Sequence, residues 1–196
     1  RPGDISYSST ENSTYEIKYP NYFSHEGKEY TINTKLIGNH FISNITGAIA
    51  LAKKNGISIE QSLNSIEHFV GVKRRTEFIG KFNGVNFYDD YGHHPTEIKA
   101  TTKALKENTV GNLIVIFQPH RFTRTRDHFD DLKNSFNYSD LTLITDIYSA
   151  GEKPIPGVSS LLFEGEGIKY IKSPRLVPHY VKTNIKSGDT VLTIGA

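Results

Sequence analysis

Along residues 75–196 the apolar positions alternate between two periods, and the alternation outlines a fold. Glu77–Phe82 and 85–88 read as two strands of a hairpin, because Asn83-Gly84 between them suits a turn that needs positive φ. Pro95–Glu107 switches to helical spacing, with Pro at an early position where its missing N–H costs nothing. Leu113–Phe117 is apolar throughout, as expected of a strand buried on both faces. A helix at 125–136, a strand at 141–147, a loop at Pro154-Ile155-Pro156-Gly157 and a short helix at 159–163 follow. Strand Ile168–Ile171, helix 177–185 and strand Thr190–Ile194 complete the series. This succession predicts an α/β class with a Rossmann-like, mostly parallel sheet and flanking helices. No Gly-x-Gly-x-x-Gly fingerprint is present, so the fold alone implies no dinucleotide.

The first part of the chain is patterned differently. Residues 1–37 are rich in Ser, Thr, Tyr and Asn, with alternating runs at 14–19 and 30–37 and a turn at Glu26-Gly27-Lys28, which predicts a small antiparallel β piece. Ile42, Ile45, Ile49 and Ala52, with Ala48 beside them, recur at helical spacing up to a stop at Asn55-Gly56. Ser58 then caps a second helix, with Gln61 in the capping-box position and Ile59, Leu63 and Ile66 on one face. His40, Ser43 and Asn44 lie at the start of the first helix, where free N–H groups favour anions. An ordinary capped helix accounts for them equally well. Phe69-Val70-Gly71-Val72-Lys73-Arg74-Arg75 reads as a linker, which divides the chain into 1–72 and 73–196.

Composition narrows the partners. The 196 residues carry a net charge of +2, so no global field argues for nucleic acid or an anionic membrane. No apolar run approaches the roughly 18 residues of a membrane span, and no signal-peptide pattern opens the chain. Without cysteine there is neither a disulfide nor a thiolate nucleophile, which leaves the redox compartment undetermined, though a reducing cytoplasm fits. The chain opens Arg1-Pro2-Gly3 without methionine and stops on a strand-plus-Gly pattern, so a segment of a longer protein is expected.

Chemistry gathers in two clusters. Tyr88-Asp89-Asp90-Tyr91-Gly92-His93-His94-Pro95-Thr96 places two carboxylates, a glycine turn and two imidazoles where a strand ends and a helix begins. Ligands of open α/β sheets collect at that edge. Gln118-Pro119-His120-Arg121-Phe122-Thr123-Arg124-Thr125-Arg126-Asp127 follows the buried strand and reaches the same edge. Its arginines suit carboxylate or phosphate, which the guanidinium fork binds through two parallel hydrogen bonds. Arg126 is the exception, spaced to pair with Asp130 along a helix. Tyr148-Ser149-Ala150-Gly151-Glu152 should form a third loop there. Bland alternatives are a plain turn for the first cluster and helix-surface ion pairs for the second. A metal site is weakened by adjacent His93 and His94, which reach one ion only from a turn.

At these residues the chain resembles the Mur ligases. The resemblance is carried by Gly71-Val72-Lys73-Arg74-Arg75, by Asp89-Asp90-Tyr91-Gly92-His93-His94-Pro95-Thr96-Glu97 and by the stretch from Phe117 to Asp127. Within the family the match is to members that join L-alanine to UDP-N-acetylmuramate; the Gln-Pro-His-Arg stretch separates them from a related ligase that attaches recycled peptides. The resemblance covers most of residues 38–196 and is weak before that. It implies a bacterial, cytoplasmic enzyme of peptidoglycan precursor synthesis with three domains: one for the UDP-sugar, a central one for ATP, and a C-terminal Rossmann-like domain. Residues 1–72 would be the end of the central domain and 73–196 the C-terminal domain. The phosphate loop and the ligands of Mg2+ would lie mainly elsewhere, no metal site is expected here, and these residues alone would be inactive.

The chemistry so implied is activation of a carboxylate by ATP to an acyl phosphate, then attack by the amine of L-alanine. By resemblance Asn44, Arg75 and Asp90 would bind ATP, Arg75 at the phosphates and Asp90 at the ribose. Tyr91, His93, His120, Arg121 and Arg124 would face the amino acid, with His93 and Arg124 carrying the catalytic step. One departure stands out: the family's His-Asn-x-x-Asn reads His40-Phe41-Ile42-Ser43-Asn44 here, and Phe41 can stack on a base but cannot hydrogen-bond one. Two rival functions follow from the residues alone. One is a metal-dependent hydrolase on Asp89, Asp90, His93, His94 and His120. The other is a non-enzymatic nucleotide or polyanion module using Lys73 to Arg75 and Arg121 to Arg126.

Overall fold

The computed structural model describes residues 5–10 and 12–196, so the Arg1-Pro2-Gly3 start lies outside the described residues. The chain forms two compact units, residues 1–71 and 72–196.

In the first unit, strands β1 (Tyr7–Ser8), β2 (Tyr15–Lys18), β3 (Tyr22–His25) and β4 (Lys28–Thr31) form one sheet in that order. The β2–β3 and β3–β4 pairs are antiparallel. Helices α1 (Asn39–Lys54) and α2 (Ile59–His68) follow. Tyr15, Ile17, Phe23 and Ile32 form a core with Ile42, Ile45, Ile49, Ala50 and Ile59. Ala48 is exposed and Ala52 only half-buried, so the buried stripe of α1 runs through Ala50 instead. Ser58 and Gln61 complete the expected capping box. The run at 30–37 pairs only as far as Thr31, and the extra strand β3 has His25 as an inward residue, stacked on Tyr15 at 4.1 Å. A buried imidazole does not announce itself as an apolar position, which hides the period of two.

In the second unit, β5 (Glu77–Phe82), β6 (Val85–Asp90), β7 (Leu113–Phe117), β8 (Leu141–Thr145), β9 (Ile168–Ile171) and β10 (Thr190–Ile194) form a six-stranded sheet. Its order is β5-β6-β10-β7-β8-β9, parallel except for the β5–β6 hairpin. Asn83 and Gly84 turn that hairpin with φ of 50° and 81°. Helix α3 (Pro95–Glu107) links β6 to β7, and α6 (Val177–Asn184) links β9 to β10. The expected helix at 125–136 is instead two short ones, α4 (Phe122–Asp127) and α5 (Phe129–Asn134), broken at His128, whose φ of −121° is not helical. The strand expected at 141–147 ends at Thr145.

Neighbouring strand residues face opposite ways, so side-chain partners locate the helices. Ile114, Val191 and Val85 pack with Val177 and Val181 of α6. Phe117 instead meets Phe136, just past α5, at 5.2 Å. Helices therefore cover both faces, as a doubly wound sheet requires. β10, the last strand, inserts between β6 and β7, so the strand order reverses at the C-terminal ends of these three. Such a switch point opens a crevice where ligands of open α/β sheets bind. No helix among the described residues is long and apolar enough to cross a membrane.

Candidate active site

The crevice is bordered by segments 91–94 after β6, 118–121 after β7, 146–152 after β8, and Gly195-Ala196 after β10. Asp89 and Asp90 belong to β6 itself rather than to the turn, and both carboxylates are engaged. Asp90 is 4% exposed. Its Oδ2 accepts from the Thr76 N–H at 2.7 Å and hydroxyl at 3.1 Å, and its Oδ1 accepts from the Gly92 N–H at 2.6 Å. A Cβ at Gly92 would lie 2.8 Å from that Oδ1, so the close approach requires glycine. Asp89 accepts from Arg74 Nε at 3.0 Å and from the Thr193 hydroxyl at 2.6 Å, while Arg74 Nη2 donates to the Gly195 carbonyl at 2.6 Å. The paired carboxylates thus lock the end of β6 to Thr76, Arg74 and β10. Arg74 is a structural tie, whereas the Arg75 guanidinium is 3.8 Å from Glu97; both side chains are exposed. The guanidinium carbons of Arg74 and Arg75 stand 5.0 and 5.8 Å from the Tyr91 ring centroid, within cation–π range.

His94 is the N-cap of α3, its Nδ1 accepting from the Thr96 N–H, while Glu97 accepts from the backbone N–H groups of His93 and His94 at 3.1 and 3.2 Å. Burial raises the Glu97 pKa, but these two N–H bonds, the His93 ring and Arg75 outweigh it and hold the carboxyl below its ordinary range. The ring of His93 stands edge-on to that of Tyr91 at 5.4 Å, its Nδ1 3.2 Å from the Tyr91 carbonyl oxygen.

The basic loop is built by cross-linking. Arg121 N donates to Tyr148 O and Tyr148 N to Pro119 O, both at 2.8 Å, and the rings of His120 and Tyr148 stack at 5.4 Å. Arg121 takes a φ of 74° and is exposed. His120 Nδ1 and Arg124 Nη1 are shielded from solvent and have no hydrogen-bond partner. Unpaired buried donors and acceptors are rare, and a ligand is one of the few things that satisfies them. Burial, then Arg124, Arg121 and His93, push the His120 pKa below its ordinary value, against a smaller opposite pull from Glu152. Both clusters leave the C-terminal ends of strands β6 and β7, which flank β10 in the parallel sheet, so they lie at one sheet edge.

The structure therefore brings Arg75, Tyr91, His93, His120, Arg121 and Arg124 to one edge. Asp90 is there too, buried, with three donors already on its carboxylate. Asn44 is exposed on α1 of the other unit. Arg126 pairs with its neighbour Asp127 at 2.7 Å and not with Asp130, because α4 ends at Asp127 and the expected next turn is missing. Sequence reading named Arg74, Glu97 and Glu152 within their motifs without giving any of them a site role of its own, and passed over Thr76; of these Glu97 carried a local signal, the capping-box spacing from His94.

The crevice residues do not make a Mg2+ cage. Asp89 and Asp90 are committed, and no group of three or more His, Asp or Glu converges among the described residues. The same commitment removes the carboxylates on which the metal-dependent hydrolase reading rested.

A family model described as Mur ligase, glutamate ligase domain, matches residues 74–196. The chain is 42% identical over 166 residues to the UDP-N-acetylmuramate–L-alanine ligase of Chelativorans sp. (strain BNC1), covering 81% of this chain and 36% of that protein. It is 38% identical over the same length to the enzyme of that name from Desulforamulus reducens. The chain thus spans 36% of the length of these relatives. Among solved structures, UDP-N-acetylmuramate-alanine ligase from Thermotoga maritima matches with a TM-score of 0.77 and 23% identity over 99% of this chain and 45% of that one. The MurF ligase from Thermotoga maritima in complex with ADP matches with a TM-score of 0.75 and 18% identity over 98% and 45%. These last two likenesses bear on the fold alone.

Proposed function

This chain belongs to the Mur ligase family, and from that premise we propose that it serves an ATP-dependent ligase joining L-alanine to UDP-N-acetylmuramate, with residues 74–196 supplying the amino-acid site. The observation that carries the reading is the shielded, unpartnered pair His120 Nδ1 and Arg124 Nη1 at the switch-point crevice. A free amino acid offers one strong handle, its carboxylate, and a guanidinium with a spare N–H is the side chain best matched to it. Arg121, exposed beside it, adds a second cation. His93 and Tyr91 on the facing loop would orient the amine toward the electrophile.

The reaction class follows from the chemistry of the acid. A carboxylate is a poor electrophile, so ATP phosphorylates it to an acyl phosphate, the amine attacks the carbonyl carbon, and phosphate leaves with the bonding pair. Arg75, whose guanidinium is not tied into the β6–β10 lock as that of Arg74 is, is the residue suited to nucleotide phosphates. Asn44 is retained as a nucleotide contact from the first unit. Asp90 supports the nucleotide side by holding Thr76 and the Gly92 turn. Mg2+ would neutralise phosphate charge when bound, and its ligands would lie mainly elsewhere, since no group of three or more His, Asp or Glu converges among the described residues.

The test is phosphate release by the full-length ligase with each substrate omitted in turn. Turnover that requires ATP, UDP-N-acetylmuramate and L-alanine together supports the reading. Equal turnover with a tripeptide in place of L-alanine points to the peptide-attaching relative instead.

A further inference from the structure

Helix α4 begins with no side-chain cap of its own: its N-cap is Arg121, whose side chain makes no capping bond. The missing acceptor comes from a loop that follows a different strand. Glu152 Oε2 accepts from the Thr123 N–H at 3.0 Å and its Oε1 from the Thr123 hydroxyl at 2.7 Å. These two bonds, with a weaker one from the Phe122 N–H and the charge of Arg121, hold the Glu152 carboxyl below its usual pKa range. It stays ionised at neutral pH, where charge-assisted bonds are strongest.

The same two loops are tied at three more points. Gln118 Nε2 donates to Asp146 O at 3.1 Å, and Tyr148 and Arg121 exchange backbone bonds with Pro119 and Tyr148 at 2.8 Å. Glu152 is the outermost tie, adjacent to Arg124 by way of Thr123. Arg121 is held at a φ of 74°, which a non-glycine residue adopts only under constraint from its surroundings. A helix of one and a half turns does not hold its own geometry in water, so the aim of Arg124 depends on how the start of α4 is pinned.

We infer that Glu152 is a positioning residue for the amino-acid site: clamped on Thr123, it fixes the start of α4 and thereby the placement of Arg121 and Arg124. It touches no substrate. The inference rests on the reading of the basic loop as the amino-acid site, and its test separates the two.

Steady-state kinetics of the full-length ligase would compare Glu152→Ala, Glu152→Gln and Arg124→Ala, varying L-alanine and ATP in turn. Glu152→Ala should raise KM for L-alanine about tenfold, the scale of losing charge-assisted hydrogen bonds, with KM for ATP within about twofold. Glu152→Gln keeps an acceptor oxygen and should recover part of the loss. If Arg124→Ala raises KM for L-alanine and Glu152→Ala does not, or if Glu152→Ala raises both KM values alike, the positioning role is wrong. If Arg124→Ala leaves KM for L-alanine unchanged, the assignment of the site fails, and an NMR titration of His120 still decides the clamp. Release of the loop in Glu152→Ala should let the His120 pKa climb toward its ordinary value. Loss of charge alone, as in Glu152→Gln, should lower it slightly. A His120 pKa in Glu152→Ala at or below that in Glu152→Gln overturns the clamp.

Discussion

His120 and Arg124, four residues apart in the basic segment after β7, each keep one shielded nitrogen without a partner, Nδ1 of the imidazole and Nη1 of the guanidinium. Both nitrogens are shielded from solvent, and a buried polar group costs free energy unless a hydrogen bond satisfies it. A carboxylate reaching Arg124 would satisfy the guanidinium and be read by its fork. Arg124→Ala in the full-length ligase should therefore raise KM for L-alanine by about tenfold or more, as expected for a charged hydrogen bond worth about 1.5–3 kcal/mol, with little change for ATP. Arg121→Ala should act in the same direction. Arg126, exposed and paired only with Asp127, is the control, with changes within about twofold. Equal damage from Arg126→Ala and Arg124→Ala would mean that charge rather than placement matters.

The surroundings of His120 also set its protonation state. Burial and then Arg124 lower its pKa, so the ring is neutral at neutral pH, and Arg124→Ala should move its pKa upward in an NMR titration. The sign for stability follows. Because the folded pKa is below the ordinary one of about 6.5, protons bind the unfolded chain more readily, and stability falls as pH drops below that value. His120→Gln, which cannot titrate, should lose less stability between neutral and mildly acidic pH than the parent. An unchanged pH dependence in His120→Gln would remove His120 from the account.

Much of this was legible in the residues. Pro95–Glu107 announced itself through its proline and its spacing, and the structure begins and ends that helix at the same residues. Leu113–Phe117 was legible because a strand buried on both faces has no polar positions to blur it. The break at His128 was not, since apolar spacing continues through 125–136 as though one helix ran on. From that error followed the wrong partner for Arg126. The commitment of Asp89 and Asp90 was hidden for another reason. Two adjacent acids before a turn look available, and only the arrival of Thr76 from a neighbouring segment and Thr193 from the last strand occupies them. Glu152 and Thr123 are likewise joined across 29 residues, which no local pattern reveals.

Glu97 couples the cap of α3 to the position of His93. Its Oε2 takes both the His93 and His94 N–H groups, and with it gone those donors face solvent or nothing. Glu97→Ala should cost about 1 kcal/mol of stability, typical of a lost cap, and should lower kcat through the loosened His93 segment. Glu97→Gln should restore most of the stability. Because the folded pKa of Glu97 is depressed, its ionic contribution is present above the ordinary carboxylate pKa and is lost as pH falls through the folded value. The gap between parent and Glu97→Gln in chemical denaturation should therefore close in acid. A gap that stays constant down to the acid limit would show that the charge of Glu97 plays no part.

Asp90 separates a structural from a ligand-binding account of the acidic pair. Its carboxylate is 4% exposed, and Thr76 and Gly92 send it three donors between them. Asparagine presents one oxygen and one NH2, so one side of the substituted group would place donor against donor. Asp90→Asn should therefore destabilise the fold by about 1–3 kcal/mol, the cost of leaving a buried polar group unsatisfied. Thr76 lies next to Arg75, and Gly92 opens the segment that carries His93, so kinetic damage should spread over ATP and L-alanine together. A residue that met only the ribose would behave otherwise: KM for ATP would rise alone, and the urea midpoint would stay where it was. Measuring urea unfolding and both KM values on the same preparation of Asp90→Asn distinguishes the two. A selective ATP defect with unchanged stability would return Asp90 to the nucleotide site as a direct contact.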